Sequence, residues 1–228
     1  MCSNISIAQM SFDKIEFDAI PYPKIRAYID RQHEFIHSEN MSELEPTCTN
    51  ITDFKDFRTY QKQYIVKADK DEVWATYINA NPSTSWKTRK SAVGLIYDRP
   101  SDMVLYSNDS CYGSSIGQVL YLNLRLIKGI YNLATAMEIT NIQDDSSMIE
   151  ISYVESGVNQ GKQWITMEST YDGYTRITHR STIKSDSQFR DRVLYPYFHN
   201  KLINAFHRKM KRTVMQESAF MIRQYASD

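Results

Sequence analysis

The stretch from Gly117 to Ile127 reads Gly-Gln-Val-Leu-Tyr-Leu-Asn-Leu-Arg-Leu-Ile, and it decides what kind of fold this chain forms. Every second residue from Leu120 to Leu126 is leucine, and more polar residues alternate with them. A period of two places the leucines on one face of an extended chain. The stretch therefore predicts a β-strand with one apolar face that another element must cover.

The C-terminal part of the chain supplies a partner for that face. Apolar residues recur there in steps of four: Phe198, Leu202, Phe206, Met210 and Val214. This spacing is typical of an amphipathic helix, which we expect to run from a cap at Asp186 or Ser187 to about Tyr225. Pro196 falls inside this span, and we expect it to kink the helix or to end a first short segment.

The middle of the chain predicts a sheet. A strand at Arg58–Ala68 precedes a helix at Lys70–Asn79, capped by Asp69, and a short helix at Pro82–Lys90. Seven further strand candidates follow: Ala92–Tyr97, Met103–Ser107, Gly117–Ile127, Leu133–Ile142, Met148–Ser156, Gln163–Tyr171 and Tyr174–Ile183. Short links indicate an antiparallel meander. We expect an α+β main domain at 58–228, with the sheet against the long helix, and an N-terminal helical extension at 1–57 packed on it.

Composition excludes several classes of function. The 228 residues carry 27 basic and 27 acidic side chains, so the formal charge gives no reason to favour nucleic acid. No apolar run approaches the roughly 20 residues that span a bilayer, and no secretory signal is recognisable. Cys2, Cys48 and Cys111 lack the spacing of zinc ligands. We expect a cytoplasmic protein with no cofactor, no metal and no integral membrane segment.

The order of elements resembles the START-like superfamily, also called SRPBCC or birch-pollen-allergen-like. The resemblance covers about residues 58–225 and rests on Tyr64–Ala68, Asp71–Trp74, the hairpin Asp172–His179 and the long closing helix. It implies a helix-grip fold, in which a curved antiparallel sheet wraps around the C-terminal helix and encloses a cavity for an apolar ligand. Eight strands are predicted here, one more than is usual in the superfamily, and the extension is not part of the common domain.

The two apolar stripes and the late hairpin supply the candidate ligand-binding residues. They are Leu122, Leu124, Tyr153, Trp164, Glu168, His179, Phe198, Leu202, Phe206 and Met210.

Within that set, Glu168 and His179 are candidate catalytic residues. Asp172-Gly173 is typical of a two-residue hairpin turn, which would pair Glu168 with Ile177 and place Glu168 and His179 on the same inner side of the sheet. A carboxylate beside an imidazole in an apolar cavity can act as an acid–base pair. A structural ion pair, or a pair at the solvated rim of the cavity, is the favoured alternative interpretation.

Two short motifs match enzyme patterns. His33-Glu34-Phe35-Ile36-His37 has the HExxH spacing of zinc enzymes, but no third ligand is identifiable, and a solvated helix face is the favoured interpretation. Gly113–Gly117 matches GxSxG with Ser115 at the nucleophile position. The strand-like sequence that follows it favours a loop.

The densest basic run is Arg208–Arg212 in the long helix. A solvated helix face is the favoured interpretation, and a transient contact with anionic membrane headgroups or with nucleic acid is the alternative. His199 and His207 lie eight residues apart in the same helix, which is not the spacing of a metal-binding pair.

Three functions remain open at this point. The first is binding or transport of a hydrophobic small molecule, lipid-like or aromatic. The second is a cofactor-free cyclase, dehydratase or hydrolase that uses Glu168 and His179. The third is a protein-interaction domain with a filled core, in which the extension docks a partner or a second copy of the chain to make a homodimer.

Overall fold

The computed structural model describes residues 9–49, 53–109, 113–156 and 159–225. Its centre is one curved antiparallel sheet of eight strands in the spatial order β1-β8-β7-β6-β5-β4-β2-β3. The strands are β1 Arg58–Val66, β2 Ser91–Asp98, β3 Met103–Tyr106, β4 Gln118–Leu126, β5 Tyr131–Gln143, β6 Met148–Tyr153, β7 Asn159–Ser169 and β8 Thr175–Ser185. All eight predicted strands form.

Four α-helices accompany the sheet: α1 Pro23–Ile36, α2 Lys70–Asn79, α3 Pro82–Ser85 and α4 Tyr195–Tyr225. Asp69 caps α2 as predicted, since its carboxylate accepts the backbone N–H of Asp71 at 2.8 Å. The predicted fold class is confirmed, because a long C-terminal helix lies against an antiparallel sheet that an N-terminal helix also contacts. None of the helices in the described ranges is both long enough and apolar enough to cross a bilayer.

The inner face of the sheet packs on α2 and α4. Leu120 and Leu122 of β4 are fully buried there with Phe206 and Met210 of α4. The neighbouring residue Tyr121 points to the opposite face. The alternation in β4 therefore separates two apolar cores on the two sides of the sheet.

The outer face of β2, β4 and β5 is covered by residues 9–49. Apolar side chains of α1 and of the turns on either side of it form a second core with β2, β4 and β5. Gly94 makes close packing possible here, since a Cβ atom at that position would lie 2.6 Å from Cδ1 of Ile25. The chain that precedes the main domain is therefore an integral layer of the structure.

One arginine joins this layer to the sheet. The Arg99 guanidinium donates to the backbone carbonyl oxygens of Ser42 and Leu44, both at 2.7 Å. It also forms a two-point ion pair with the Glu138 carboxylate, at 3.2 and 2.8 Å. Because Glu138 is buried on β5, this contact anchors residues 42–44 to the centre of the sheet.

The hairpin between β7 and β8 has a different register from the predicted one. Thr170 N–H donates to the Tyr174 carbonyl at 2.7 Å, so the loop has three residues and ends on Gly173 at φ +74°. A left-handed glycine at this position is typical of three-residue hairpins. Glu168 consequently pairs with Arg176, not with Ile177. This shift of one residue places Glu168 on the opposite face from His179.

Pro196 does not end the helix. A π-helical turn, Arg190–Leu194, leads directly into α4. In π geometry the carbonyl of Asp191 would accept from residue 196, but proline has no N–H. The Tyr60 hydroxyl donates to that carbonyl at 2.5 Å. The irregularity predicted at the proline is therefore a π turn, and the Asp191 carbonyl that it leaves free accepts a hydrogen bond from Tyr60 on β1.

Replacing Gly94 with valine should weaken the docking of α1. The added side chain would collide with Ile25 and Tyr22, so we expect a loss of about 1–3 kcal/mol in the free energy of unfolding and faster proteolysis within residues 9–49. Urea unfolding and limited proteolysis measure both effects, and Gly94→Ala should give a smaller loss. Equal stability of the valine variant would contradict this account of the outer layer.

Candidate functional site

Three histidines meet between the sheet and α4. His179 points inward from β8, and the side chain of Gln163 lies beside it on β7. His199 and His207 are eight residues apart, which is about two helical turns, so both face the sheet from α4. All four residues are buried.

Short hydrogen bonds join these residues into a chain. His179 Nε2 lies 2.8 Å from Oε1 of Gln163, and His199 Nε2 lies 3.2 Å from the same oxygen. On its other side, His179 Nδ1 lies 2.8 Å from Nε2 of His207. His207 Nδ1 lies 2.8 Å from the hydroxyl of Tyr77 on α2. The chain thus connects β7, β8, α4 and α2.

The Gln163 carbonyl oxygen determines the direction of each bond, because this atom can only accept. His179 and His199 must both donate their Nε2–H to it. His179 Nδ1 then accepts from the Nε2–H of His207, and His207 Nδ1 accepts from the Tyr77 hydroxyl. All three imidazoles are therefore neutral Nε2–H tautomers.

Burial explains the neutral state of the histidines. It lowers the pKa of His199 to about 4 and that of His207 to about 3, since the charged form would lose its hydration. Burial also lowers the pKa of His179, and the nearby His207 and His199 lower it further. Near neutral pH the cluster is therefore uncharged, and each of its Nε2–H groups donates to a partner within it.

One acceptor in the cluster has no donor. His199 Nδ1 carries a lone pair in the Nε2–H tautomer, and within the described residues nothing donates to it. The ring stacks on Tyr195 with centroids 4.7 Å apart. An unpaired buried acceptor costs roughly 1–3 kcal/mol, so this atom is suited to accept from a water or from a hydroxyl or amine group of a ligand.

The enzyme motifs do not form their expected geometries. Helix α1 ends at Ile36, and His37 adopts φ +51°, so the two imidazoles of the HExxH pattern do not sit on successive helical turns. His33 instead stacks on Phe12. Ser115 precedes β4 without a following helix, so no nucleophile elbow forms. Across the described ranges, no three His, Cys, Asp or Glu side chains are arranged to hold a metal ion.

A cleft opens where the β4–β5 connection faces the first turns of α4. Its volume is about 410 Å³. It is lined by Lys90, Arg125, Leu126, Ile127, Ile130, Tyr197, Phe198, Lys201 and Leu202. Ile130 is 85% exposed, Ile127 59% and Tyr197 55%. Large apolar side chains from two separate elements thus face solvent across one opening.

The structure divides the predicted ligand-binding residues among three places. Leu122, Leu124, Tyr153, His179, Phe206 and Met210 belong to the inner layer, and Phe198 and Leu202 line the cleft. Trp164 and Glu168 lie on the outer face. The Trp164 indole donates to Glu150 at 2.9 Å, and Glu168 forms an exposed ion pair with Arg176 at 3.3 Å.

The predicted Glu168–His179 acid–base pair is therefore not formed, because the three-residue hairpin loop places Glu168 on the outer face of the sheet and His179 on the inner face. Sequence reasoning missed Gln163, Tyr77 and the meeting of His179 with His207. The eight-residue spacing of His199 and His207, which places both side chains on one face of a helix, was the sequence pattern that could have indicated the α4 side of the cluster. No sequence pattern indicated which strand residue they would meet.

The architecture is the helix-grip fold of START-like, birch-pollen-allergen-like proteins, as the resemblance predicted. One solved structure with this fold is major latex-like protein 151 from Panax ginseng, with 10% identity, a TM-score of 0.51, and coverage of 69% of this chain and 97% of that one. Another is norcoclaurine synthase from Thalictrum flavum in complex with dopamine and hydroxybenzaldehyde, with 10% identity, a TM-score of 0.52, and coverage of 70% and 87%. No protein-family model and no curated protein matches the chain. At this identity the likeness shows the fold alone.

The buried histidines should make stability fall with acid. Their pKa values are near 6.5 when unfolded and lower when folded, so the unfolded state binds more protons below pH 6.5. Stability should drop by about 1.4 kcal/mol per pH unit for each histidine, with the loss complete near pH 4 for His199 and near pH 3 for His207. Urea unfolding across this range tests it. His199→Gln should flatten the slope, whereas His37→Asn, at an exposed position, should not.

The tautomers provide a second test. Imidazole nitrogen NMR should show the Nε2–H form for His179, His199 and His207, and an Nδ1–H form in any of them would contradict the assigned hydrogen-bond directions.

Tyr77→Phe removes the donor to His207 and should cost about 1–3 kcal/mol of stability. Tyr171→Phe, at a fully exposed position, is the control and should cost nothing measurable.

Proposed function

We propose that this protein binds an apolar small molecule in the cleft between the β4–β5 connection and the first turns of α4. The proposal rests on the exposure of Ile127, Ile130 and Tyr197 around one concave opening. Apolar side chains gather at one exposed place mainly where something covers them. A volume of about 410 Å³ lies within the usual range for small-molecule sites.

The position of the cleft supports the same proposal. Phe198 and Leu202 line it, and they lie on the same helix as Phe206 and Met210, which fill the inner core. A ligand there would extend the inner apolar layer toward solvent. In the Thalictrum flavum neighbour, a chain of this fold was solved with dopamine and hydroxybenzaldehyde. That protein provides a precedent for a small aromatic ligand on the same fold.

Binding of a neutral apolar dye, N-phenylnaphthylamine, tests the proposal by its gain in fluorescence. Ile130→Ser and Phe198→Ser should each weaken binding about tenfold or more, because each removes apolar contact worth roughly 1.5–3 kcal/mol. Met103→Ser is the matched control, since Met103 is an exposed apolar residue on β3 outside the cleft.

Two results would overturn the proposal. One is the absence of dye binding to the unsubstituted protein. The other is binding that the cleft variants leave unchanged. If the dye does not bind and light scattering shows a dimer, the interaction-domain hypothesis would take its place.

A further inference from the structure

We propose that the ligand of this cleft carries an anionic group, which Lys90, Arg125 and Lys201 hold at its rim. This inference rests on the proposed function, since it assigns the charge of the molecule bound there. The ligand would be an anionic amphipath, with an apolar body against the cleft wall and an oxyanion such as a carboxylate, sulfonate or phosphate at the rim.

Three separate elements bring the cations together. Lys90 immediately precedes β2, Arg125 lies near the end of β4, and Lys201 lies on α4. The backbone N–H of Arg125 donates to the carbonyl of Lys90 at 2.7 Å, so these two residues are held side by side. Lys201 faces them across the cleft from the helix.

None of the ion pairs in the described ranges involves Lys90, Arg125 or Lys201. The ion pairs found there engage other cations, such as Arg99 with Glu138 and Lys162 with Glu150. The described residues that line the cleft include no aspartate or glutamate. The whole chain has a formal charge of zero, so the positive character of the cleft is local.

Tyr197 lies within reach of two of these cations. The Lys201 ammonium donates to the Tyr197 hydroxyl and lies 3.7 Å from the centre of its ring. The hydrogen bond to Lys201 and its charge lower the pKa of Tyr197, and the charge of Lys90 lowers it further. Two of the three cations therefore act on one group at the cleft, where an anion would be stabilised in the same way.

The chemistry of the lining favours an amphipath over a free anion. Leu126, Ile130, Phe198 and Leu202 form an apolar wall that an inorganic ion would leave exposed. The planar guanidinium of Arg125 can bind two oxygens of a carboxylate or phosphate at once. An apolar body and an oxyanion in one molecule would satisfy both halves of the cleft.

A matched pair of dyes tests the inference. Anilinonaphthalene sulfonate and N-phenylnaphthylamine share two ring systems and differ in one sulfonate group. We expect the sulfonate to bind about tenfold more tightly at low salt and to lose this advantage as salt rises. Arg125→Gln and Lys201→Gln should each weaken sulfonate binding about three- to tenfold and change the affinity for the neutral dye much less, because that dye offers no charge to either side chain. Lys24→Gln, an exposed lysine on α1, is the control.

Competition experiments distinguish an amphipathic anion from a free inorganic anion as the ligand. Dodecanoate and dodecyl phosphate should displace the sulfonate dye, whereas dodecanol should displace it poorly and inorganic phosphate should not displace it. Displacement by inorganic phosphate alone would overturn the amphipath in favour of a simple anion site.

The outcomes distinguish the two proposals. If neither dye binds, the proposed function fails. If the neutral dye binds in the cleft but the sulfonate shows no advantage, or the glutamine variants leave its affinity unchanged, only the inferred negative charge of the ligand is wrong.

Discussion

The inner face of the sheet and the outer face of β2, β4 and β5 are both apolar, and the rest of the structure follows from the need to cover both. In β4 the inward residues Leu120 and Leu122 alternate with the outward residues Val119 and Tyr121, all fully buried. Helices α2 and α4 cover the inner face, and residues 9–49 cover the outer face of β2, β4 and β5. Burial of apolar area is the main favourable term in folding, so the sheet requires both layers at once.

Covering the inner face places polar groups where water cannot reach them. Gln163, His179, His199 and His207 can occupy that layer because they hydrogen-bond to one another and to Tyr77, and among their ring nitrogens only Nδ1 of His199 has no partner in the described residues. A buried polar group without a partner is costly, so the four side chains restrict each other's orientation. The network joins α4 to β7 and β8, while the apolar half of the same helix packs through Phe206 and Met210.

The cleft arises at the end of this layer, where α4 and the β4–β5 connection separate and apolar side chains no longer meet. Its exposed isoleucines and the basic rim lie on elements that the common fold positions but does not define chemically. Fold alone does not select a function. The function proposed here therefore rests on the residues of the cleft and on their charge.

The amino-acid sequence by itself determined the elements and their order. The alternation at Leu120–Leu126, the four-residue steps from Phe198 to Val214 and the Asp69 cap are local signals, because strand and helix periodicities are properties of a short stretch of chain. Three features became known only from the tertiary structure: the hairpin register that separates Glu168 from His179, the chain of bonds through Gln163, and the face of the sheet on which residues 9–49 dock. The register depends on one extra loop residue that the Asp172-Gly173 pattern does not reveal, and the other two depend on contacts between side chains far apart in the chain.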